Sequence, residues 1–188
     1  MKEVVIVDSA LSVTEALRQN PTSRCPLEIL AQQGVIPVRY YSFDGRLHQG
    51  QVVMDKRLVE DIHRVFVRLR EERFPLQSVI PITDPRFAWD DIASMSANNA
   101  SGFNYRTIAG TTRLSLHAYG QAIDLNPLFN PYIRADLVQP PGAVYDPTRL
   151  GTITADSFLV QLFDELGWEW GGHWEDRKDY QHFQKKLS

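Results

Sequence analysis

The sequence predicts an α+β fold for residues 1–188, organised as a single domain. A hairpin pattern covers residues 34–54, and amphipathic helical patterns cover residues 56–73 and about 156–166. Strand and helix patterns do not alternate regularly, which argues against a parallel α/β sheet. With 188 residues, the chain is long enough for one hydrophobic core and too short for two ordinary domains.

At the N-terminus, the β-branched residues 4–7 predict a short buried strand. The two strands of the predicted hairpin flank Asp44 and Gly45, a dipeptide that suits turns with positive φ. His48 lies on one of these strands, where we expect a structural role.

The helix predicted for residues 56–73 has one apolar face and ends before Pro75, which disfavours helical geometry in the residue that precedes it. The apolar face consists of Leu58, Ile62, Val65, Phe66 and Leu69. His63 lies on the flank of this helix and is expected to be solvated or half-buried. Residues 76–82 then predict a strand, residues 89–95 a short helix and residues 96–104 a loop.

In the C-terminal half, residues 127–147 are rich in proline and predict a long irregular surface loop within the domain. The apolar face of residues 156–166 predicts a helix that stops at Gly167.

Composition and charge exclude several classes of protein. Hydrophobic residues make up 43% of the chain and charged residues 23%, as in soluble globular proteins, and the net charge of −3 argues against a nucleic-acid partner. The single cysteine, Cys25, has no intrachain disulfide partner and is expected to be a packed thiol. No segment approaches the roughly 20 apolar residues of a transmembrane helix. The start of the sequence does not resemble a signal peptide, the compartment stays open, and no partner protein is evident.

Two segments carry residues that suit a metal site. Residues 122–125 read as a buried strand, and a buried Asp124 is costly unless its charge is paired or bound to a metal. His117 precedes a bend at Gly120 that turns its imidazole towards this carboxylate. A third ligand must come from elsewhere, and His182, in the strand-like residues 180–183, is the best candidate. Such a set fits a zinc site with one open position, although iron or cobalt would also suit it.

Asp179, three residues before His182, is placed to act as a general base without binding the metal. Glu169, Glu175 and Asp176 are rivals for this role. Spacing alone leaves open a structural cluster of hydrogen-bonded histidine and aspartate.

The motif Ser-x-His-x-x-Gly-x-Ala-x-Asp, followed by Trp-Gly-Gly-x-Trp and Asp-x-x-His-Phe, resembles a known family. Similar motifs occur in the zinc D-alanyl-D-alanine carboxypeptidases and L-alanyl-D-glutamate endopeptidases, which share a metal-site fold with lysostaphin-type enzymes and the hedgehog signalling domain. The motifs span residues 98–184, and the N-terminal third matches only loosely. The resemblance implies a small antiparallel sheet that carries the metal and is flanked by helices.

Carried over residue by residue, the resemblance implies that His117, Asp124 and His182 bind Zn²⁺ and that Asp179 is the catalytic base. It also places Arg106 where an arginine stabilises the developing oxyanion.

The resemblance further implies that Ser115 contacts substrate and that Trp174 helps to orient the base. His173, inside the Gly-Gly-x-Trp block, is an open candidate for a residue that lines the cleft. Its tryptophan neighbours could line a substrate groove, and buried packing is the alternative for them.

The function implied is hydrolysis of an amide bond in peptidoglycan stem peptides. An aspartate at position 179 slightly favours an endopeptidase over a dipeptidase-like enzyme, and a D-alanyl-D-alanine carboxypeptidase stays open. The alternatives are a zinc-binding module of the same fold that has lost catalysis and a metallopeptidase acting on other peptides.

Overall fold

A computed structural model describes residues 4–188 and combines short helices with small sheets, as the α+β prediction requires. The helices are α1 (Val13–Ala16), α2 (Leu27–Ala31), α3 (Val59–Glu71), α4 (Asp91–Ser96) and α5 (Phe158–Glu165). The strands are β1 (Ile6–Val7), β2 (Gln33–Tyr41), β3 (Leu47–Asp55), β4 (Ser78–Val79), β5 (Asn99–Ala100), β6 (Ala122–Asp124), β7 (Tyr132–Arg134), β8 (Leu137–Gln139), β9 (Glu169–Trp170), β10 (Lys178–Asp179) and β11 (His182–Gln184). Among these described residues, no helix is both long and apolar enough to cross a membrane.

The predicted hairpin is present as β2 and β3, and its turn contains Gly45 with φ of 75°. β1 adds to this sheet in parallel with β3 and forms an edge. The prediction of a buried strand over residues 4–7 is wrong in two respects. The strand covers only Ile6–Val7, and Val4 and Val7 are 81% and 58% exposed, because an edge strand packs on few neighbours.

The two predicted amphipathic helices are confirmed. A 3₁₀ turn at Lys56–Leu58 leads into α3, which buries its predicted apolar face against the first sheet and ends at Glu71. In α5, the Ser157 side chain accepts a hydrogen bond from the backbone N–H of Val160 and caps the helix. Gly167, with φ of 78°, follows the helix end as predicted.

Between α3 and the motif region, the sequence overestimates one strand and misses another. The strand predicted for residues 76–82 is reduced to β4, which pairs in parallel with β5. Residues 96–104 are therefore more than the predicted loop. The Asn99 side chain bonds both the N–H and the C=O of Ile80, so a turn-forming residue lies fully buried in paired backbone. The predicted short helix is present as α4.

The prediction of an irregular loop over residues 127–147 is also wrong, because this segment contains the β7–β8 hairpin. β10 pairs with β7 and places Asp179 opposite Tyr132. The proline-rich segment thus builds the small sheet that carries the predicted catalytic base.

A second antiparallel sheet, in the order β6-β11-β9, carries two of the predicted metal ligands. His182 of β11 lies directly opposite Asp124 of β6 in the strand register. The next residue, Phe183, turns to the other face, where it stacks on Phe163 of α5 with ring centroids 4.0 Å apart. The sheet therefore fixes the two ligands by anchoring the alternate side chain in the hydrophobic core.

Candidate metal centre

His117 lies on a 3₁₀ turn at Leu116–Tyr119, which the Ser115 hydroxyl caps by accepting the backbone N–H of His117 at 3.3 Å. The turn ends at Gly120, which has φ of 66°. A Cβ atom at this position would come within 2.0 Å of the Gln33 side chain and 2.6 Å of the Asp55 backbone nitrogen. Only glycine fits there, so the bend that delivers His117 depends on Gly120.

The structure brings the three predicted ligands into one buried cluster. The Nε2 atom of His117 lies 3.2 Å from Oδ2 of Asp124, and Nδ1 of His182 lies 2.9 Å from Oδ1 of the same carboxylate. The two imidazole nitrogens are 3.1 Å apart. One ligand atom from each residue therefore faces a common point, in a geometry that suits a metal ion.

Hydrogen bonds on the far side of each ring determine which nitrogen is free. The Nδ1–H group of His117 donates to the backbone carbonyl of Gly102 at 2.7 Å, and the Nε2–H group of His182 donates to Oε1 of Gln184 at 3.0 Å. The nitrogens that face Asp124 then carry lone pairs, and so does the carboxylate. Three converging acceptors repel one another unless a cation lies between them, and two imidazoles with one carboxylate fit zinc.

The pKa shifts of Asp124 and His182 agree with a cation site between the three ligands. Burial alone would raise the pKa of Asp124, yet His117 and His182 hold it below its usual range. Burial acts to lower the pKa of His182, but the Asp124 carboxylate raises it to about 9. Without a metal, His182 therefore holds a proton at the place where a metal ion would bind.

Asp179 lies beside this cluster on β10. Its Oδ1 atom is buried and has no hydrogen-bond partner among the residues that the structure describes. Burial raises the pKa of Asp179 to about 7, and the charge of His182 opposes the increase. Gly171 packs tightly against it, since a Cβ atom there would lie 2.8 Å from Cβ of Asp179. A carboxyl group with one unpaired oxygen and a pKa near neutrality is suited to proton transfer.

Arg106 belongs to the same electrostatic environment, because its charge lowers the pKa of Asp179. Its Nη2 atom is 3.1 Å from Oδ2 of Asp91, whose other oxygen accepts a hydrogen bond from the Asn104 side chain. The Nε atom of Arg106 is buried without a hydrogen-bond partner in the described part of the chain. One donor of the guanidinium group is thus oriented by Asp91, and another is left for a ligand.

The other predicted site residues occupy different positions. The ring of Trp174 lies 5.5 Å from that of His182, and His173 is exposed with its ring edge-on to Trp170 at 5.0 Å. Ser115 caps the turn that carries His117, so the structure gives it a local structural role, and its contact with substrate stays a prediction. The rival carboxylate of Glu169 bonds Trp174, and that of Asp176 bonds Arg177.

Sequence reasoning missed Gln184, Gly102 and Asp91, which hold the predicted site residues in place. Only Gln184 left a usable signal, because it lies two residues after His182 and alternate residues of a strand share a face. The role of Gly102 belongs to its backbone carbonyl, and Asp91 is far from Arg106 in the sequence.

Comparison with known proteins supports the resemblance in the C-terminal region. Residues 109–185 match a family model described as D-alanyl-D-alanine carboxypeptidase. The matched segment covers less than half of the chain and includes the three candidate ligands and Asp179, whereas Arg106 precedes it. No significant match was found among curated proteins or among solved structures. The match therefore supports a metallopeptidase and confirms the resemblance for this region.

Proposed function

We propose that this protein is a zinc peptidase that hydrolyses an amide bond in peptidoglycan stem peptides. The observation that carries the proposal is the combination of a buried histidine–aspartate–histidine cluster with two unpaired buried groups beside it, on Asp179 and Arg106. The histidine–aspartate–histidine cluster suits a metal ion, and the groups on Asp179 and Arg106 suit the water and the oxyanion of an acyl-transfer reaction. The family match points to the same chemistry.

His117, Asp124 and His182 would hold the zinc ion, two through imidazole nitrogens and one through a carboxylate oxygen. When bound, zinc supplies a Lewis acid that polarises the scissile carbonyl and lowers the pKa of water. The protein contributes a buried site in which Nε2 of His117 and Nδ1 of His182 already face the metal position, and Nδ1 of His182 gives up its proton when zinc binds.

Asp179 is the proposed general base. Its raised pKa, about 7, allows it to accept a proton from the attacking water and to return that proton to the nitrogen of the leaving amine. A carboxylate bound tightly by surrounding donors would be too weak a base for the first step. Because its Oδ1 atom has no hydrogen-bond partner among the described residues, that oxygen can accept a hydrogen bond from the water.

Arg106 is proposed to donate to the oxyanion that develops on the scissile carbonyl. Asp91 holds one end of the guanidinium group, which fixes its orientation before substrate arrives. Trp174, His173 and Ser115 remain proposed contacts of the substrate.

Within this class, the aspartate at position 179 slightly favours an L-alanyl-D-glutamate endopeptidase over a dipeptidase-like enzyme, and a D-alanyl-D-alanine carboxypeptidase stays open. A zinc-binding module without catalysis is the alternative. It is disfavoured because burying an unpaired oxygen of Asp179 and an unpaired Nε–H group of Arg106 reduces stability, and a module that only binds zinc has no use for them.

The test is incubation of the zinc-loaded protein with defined stem peptides, with products identified by mass spectrometry. One peptide contains the L-alanyl-D-glutamate bond and another ends in D-alanyl-D-alanine. We expect cleavage of one of them and a decrease of about 10²–10⁴-fold in turnover for Asp179→Ala, with zinc still bound.

Asp176→Ala is the matched control, because Asp176 is a nearby carboxylate that is exposed and pairs with Arg177. Its turnover should match that of the unmodified protein. Stoichiometric zinc with no cleavage of either peptide would contradict the proposal and favour the binding module.

A further inference from the structure

Outside the three ligands, a chain of hydrogen bonds leads from His182 across the edge of the β6-β11-β9 sheet. His182 donates from Nε2 to Oε1 of Gln184 at 3.0 Å, and Nε2 of Gln184 donates to Oε2 of Glu169 at 2.6 Å. The other oxygen of Glu169 accepts the indole N–H of Trp174 at 2.6 Å. The indole ring then returns to within 5.5 Å of the His182 ring.

The direction of each hydrogen bond in this chain follows from Glu169. A carboxylate only accepts hydrogen bonds, so Gln184 must turn its NH₂ group towards Glu169 and its carbonyl oxygen towards His182. That oxygen also only accepts, which requires the hydrogen of the imidazole to be on Nε2. In the neutral ring Nδ1 then carries the lone pair, so Glu169 selects the tautomer of His182 through Gln184.

The strand register makes the arrangement stable. Gln184 and His182 lie on one face of β11, two residues apart, and Gln184 pairs directly with Glu169 of β9. Phe183 between them is fully buried and stacks on Phe163, so the strand cannot rotate to release either side chain. No step of the proposed reaction uses Gln184 or Glu169.

We propose that Gln184 and Glu169 are positioning residues that hold His182 in its metal-binding tautomer and link the metal site to Trp174. The inference rests on the proposed metal site, but it concerns metal affinity and is independent of peptidase activity. Partners that fix the second nitrogen of a metal-binding histidine are typically worth about 10–100-fold in metal affinity.

The test compares Gln184→Met with Gln161→Met by zinc titration against a competing chelator. Methionine has nearly the length of glutamine and makes no comparable hydrogen bond. Gln161 is an exposed residue of α5 whose side chain makes one long contact, 3.4 Å, with the Asp156 carbonyl. We expect the zinc Kd to increase about 10–100-fold for Gln184→Met only.

A second readout follows the tautomer itself. In the metal-free protein, at a pH high enough to make the His182 ring neutral, ¹⁵N chemical shifts of the ring should report hydrogen on Nε2. The Gln184→Met variant should instead show a mixture of both tautomers. An unchanged Kd, or an unchanged tautomer despite weaker binding, would overturn the proposal.

Gln184→Glu separates the His182–Gln184 hydrogen bond from the Gln184–Glu169 hydrogen bond. This variant also serves as the test if Gln184→Met fails to fold. The new carboxylate still accepts from His182, so zinc affinity should stay within a few-fold of the original. It repels Glu169, so the NMR signal of the Trp174 indole N–H should shift, with Trp174→Phe providing the assignment. Loss of zinc affinity as large as for a removed ligand, or an unshifted indole signal, would overturn the proposal.

Discussion

Two histidine–aspartate clusters in this molecule show how differently the same residue types can be used. Both ring nitrogens of His48, on β3, face carboxylates at hydrogen-bond distance: Nδ1 is 2.8 Å from Asp8 and Nε2 is 3.2 Å from Asp44. Tyr40 also donates its hydroxyl hydrogen to Asp8. Both ring nitrogens of His48 are therefore occupied, and the cluster is closed.

At the candidate metal centre, each histidine has only one nitrogen occupied by an outer acceptor. The remaining nitrogens of His117 and His182 converge on Asp124, and without a metal a proton on Nδ1 of His182 takes the place of the ion. The comparison teaches that proximity of histidine and aspartate does not define a metal site. The free nitrogen lone pair does, and the outer hydrogen bonds decide where it points.

The largest difference should appear when one histidine is removed from each cluster. We expect His117→Ala to weaken zinc affinity by more than the roughly 10–100-fold that outer hydrogen-bond partners contribute. The variant should lose peptidase activity together with the zinc. His48→Ala should keep zinc and activity, but lose about 1–3 kcal/mol of unfolding free energy, because the half-buried carboxylate of Asp8 loses one of its two side-chain partners.

Zinc content after dialysis and denaturant unfolding curves measure the two effects. Equal zinc content in the two variants would remove the distinction between the open and the closed cluster.

A smaller effect is expected at Gly171, which packs against Asp179 with no space for a methyl group. Gly171→Ala should displace Asp179 while all three ligands stay, and a shift of about 1 Å in a catalytic group reduces turnover by about 10²-fold. Steady-state kinetics and zinc content together measure this.

The control for this change is Gly34→Ala, where the nearest atom is 3.3 Å away on the flexible Lys56 side chain. If both alanine variants show equal turnover, the tight packing around Asp179 has no catalytic role.

The smallest expected effect is the pH dependence of zinc affinity. In the metal-free protein the pKa of His182 is raised to about 9, so below that pH its Nδ1 holds a proton that zinc must displace. The apparent zinc Kd should therefore increase about tenfold for each unit by which the pH falls below 9. Calorimetric titrations at pH 7.5 in buffers of different ionisation enthalpy should show proton release. A binding enthalpy that does not depend on the buffer would contradict the assigned protonation of the open cluster.

Much of the fold could be predicted because its determinants are local. The face of α3 recurs every three to four residues, and the turn at Asp44 and Gly45 lies between two apolar strands. His117 and Asp124 lie on a turn and the strand that follows it, and His182 could be added because its motif resembles a family.

The predictions failed where long-range pairing outweighs local composition. Asn99 has a side chain typical of loops, yet it is fully buried because it bonds the backbone of Ile80. The segment after Asn126 is rich in proline, and its hairpin becomes stable when β10 pairs with it. Neither partner is near in sequence, so no local pattern reveals the pairing.

The sequence by itself determined which residues could bind a metal and where the helices and the first hairpin lie, because residue chemistry and periodicity are local properties. The tertiary structure alone decided which nitrogen of each histidine faces the metal position, and that Oδ1 of Asp179 is buried with no hydrogen-bond partner among the described residues. It also decided that Gln184 connects His182 to Glu169. These properties depend on strand register and on burial, which arise only when distant segments pack together.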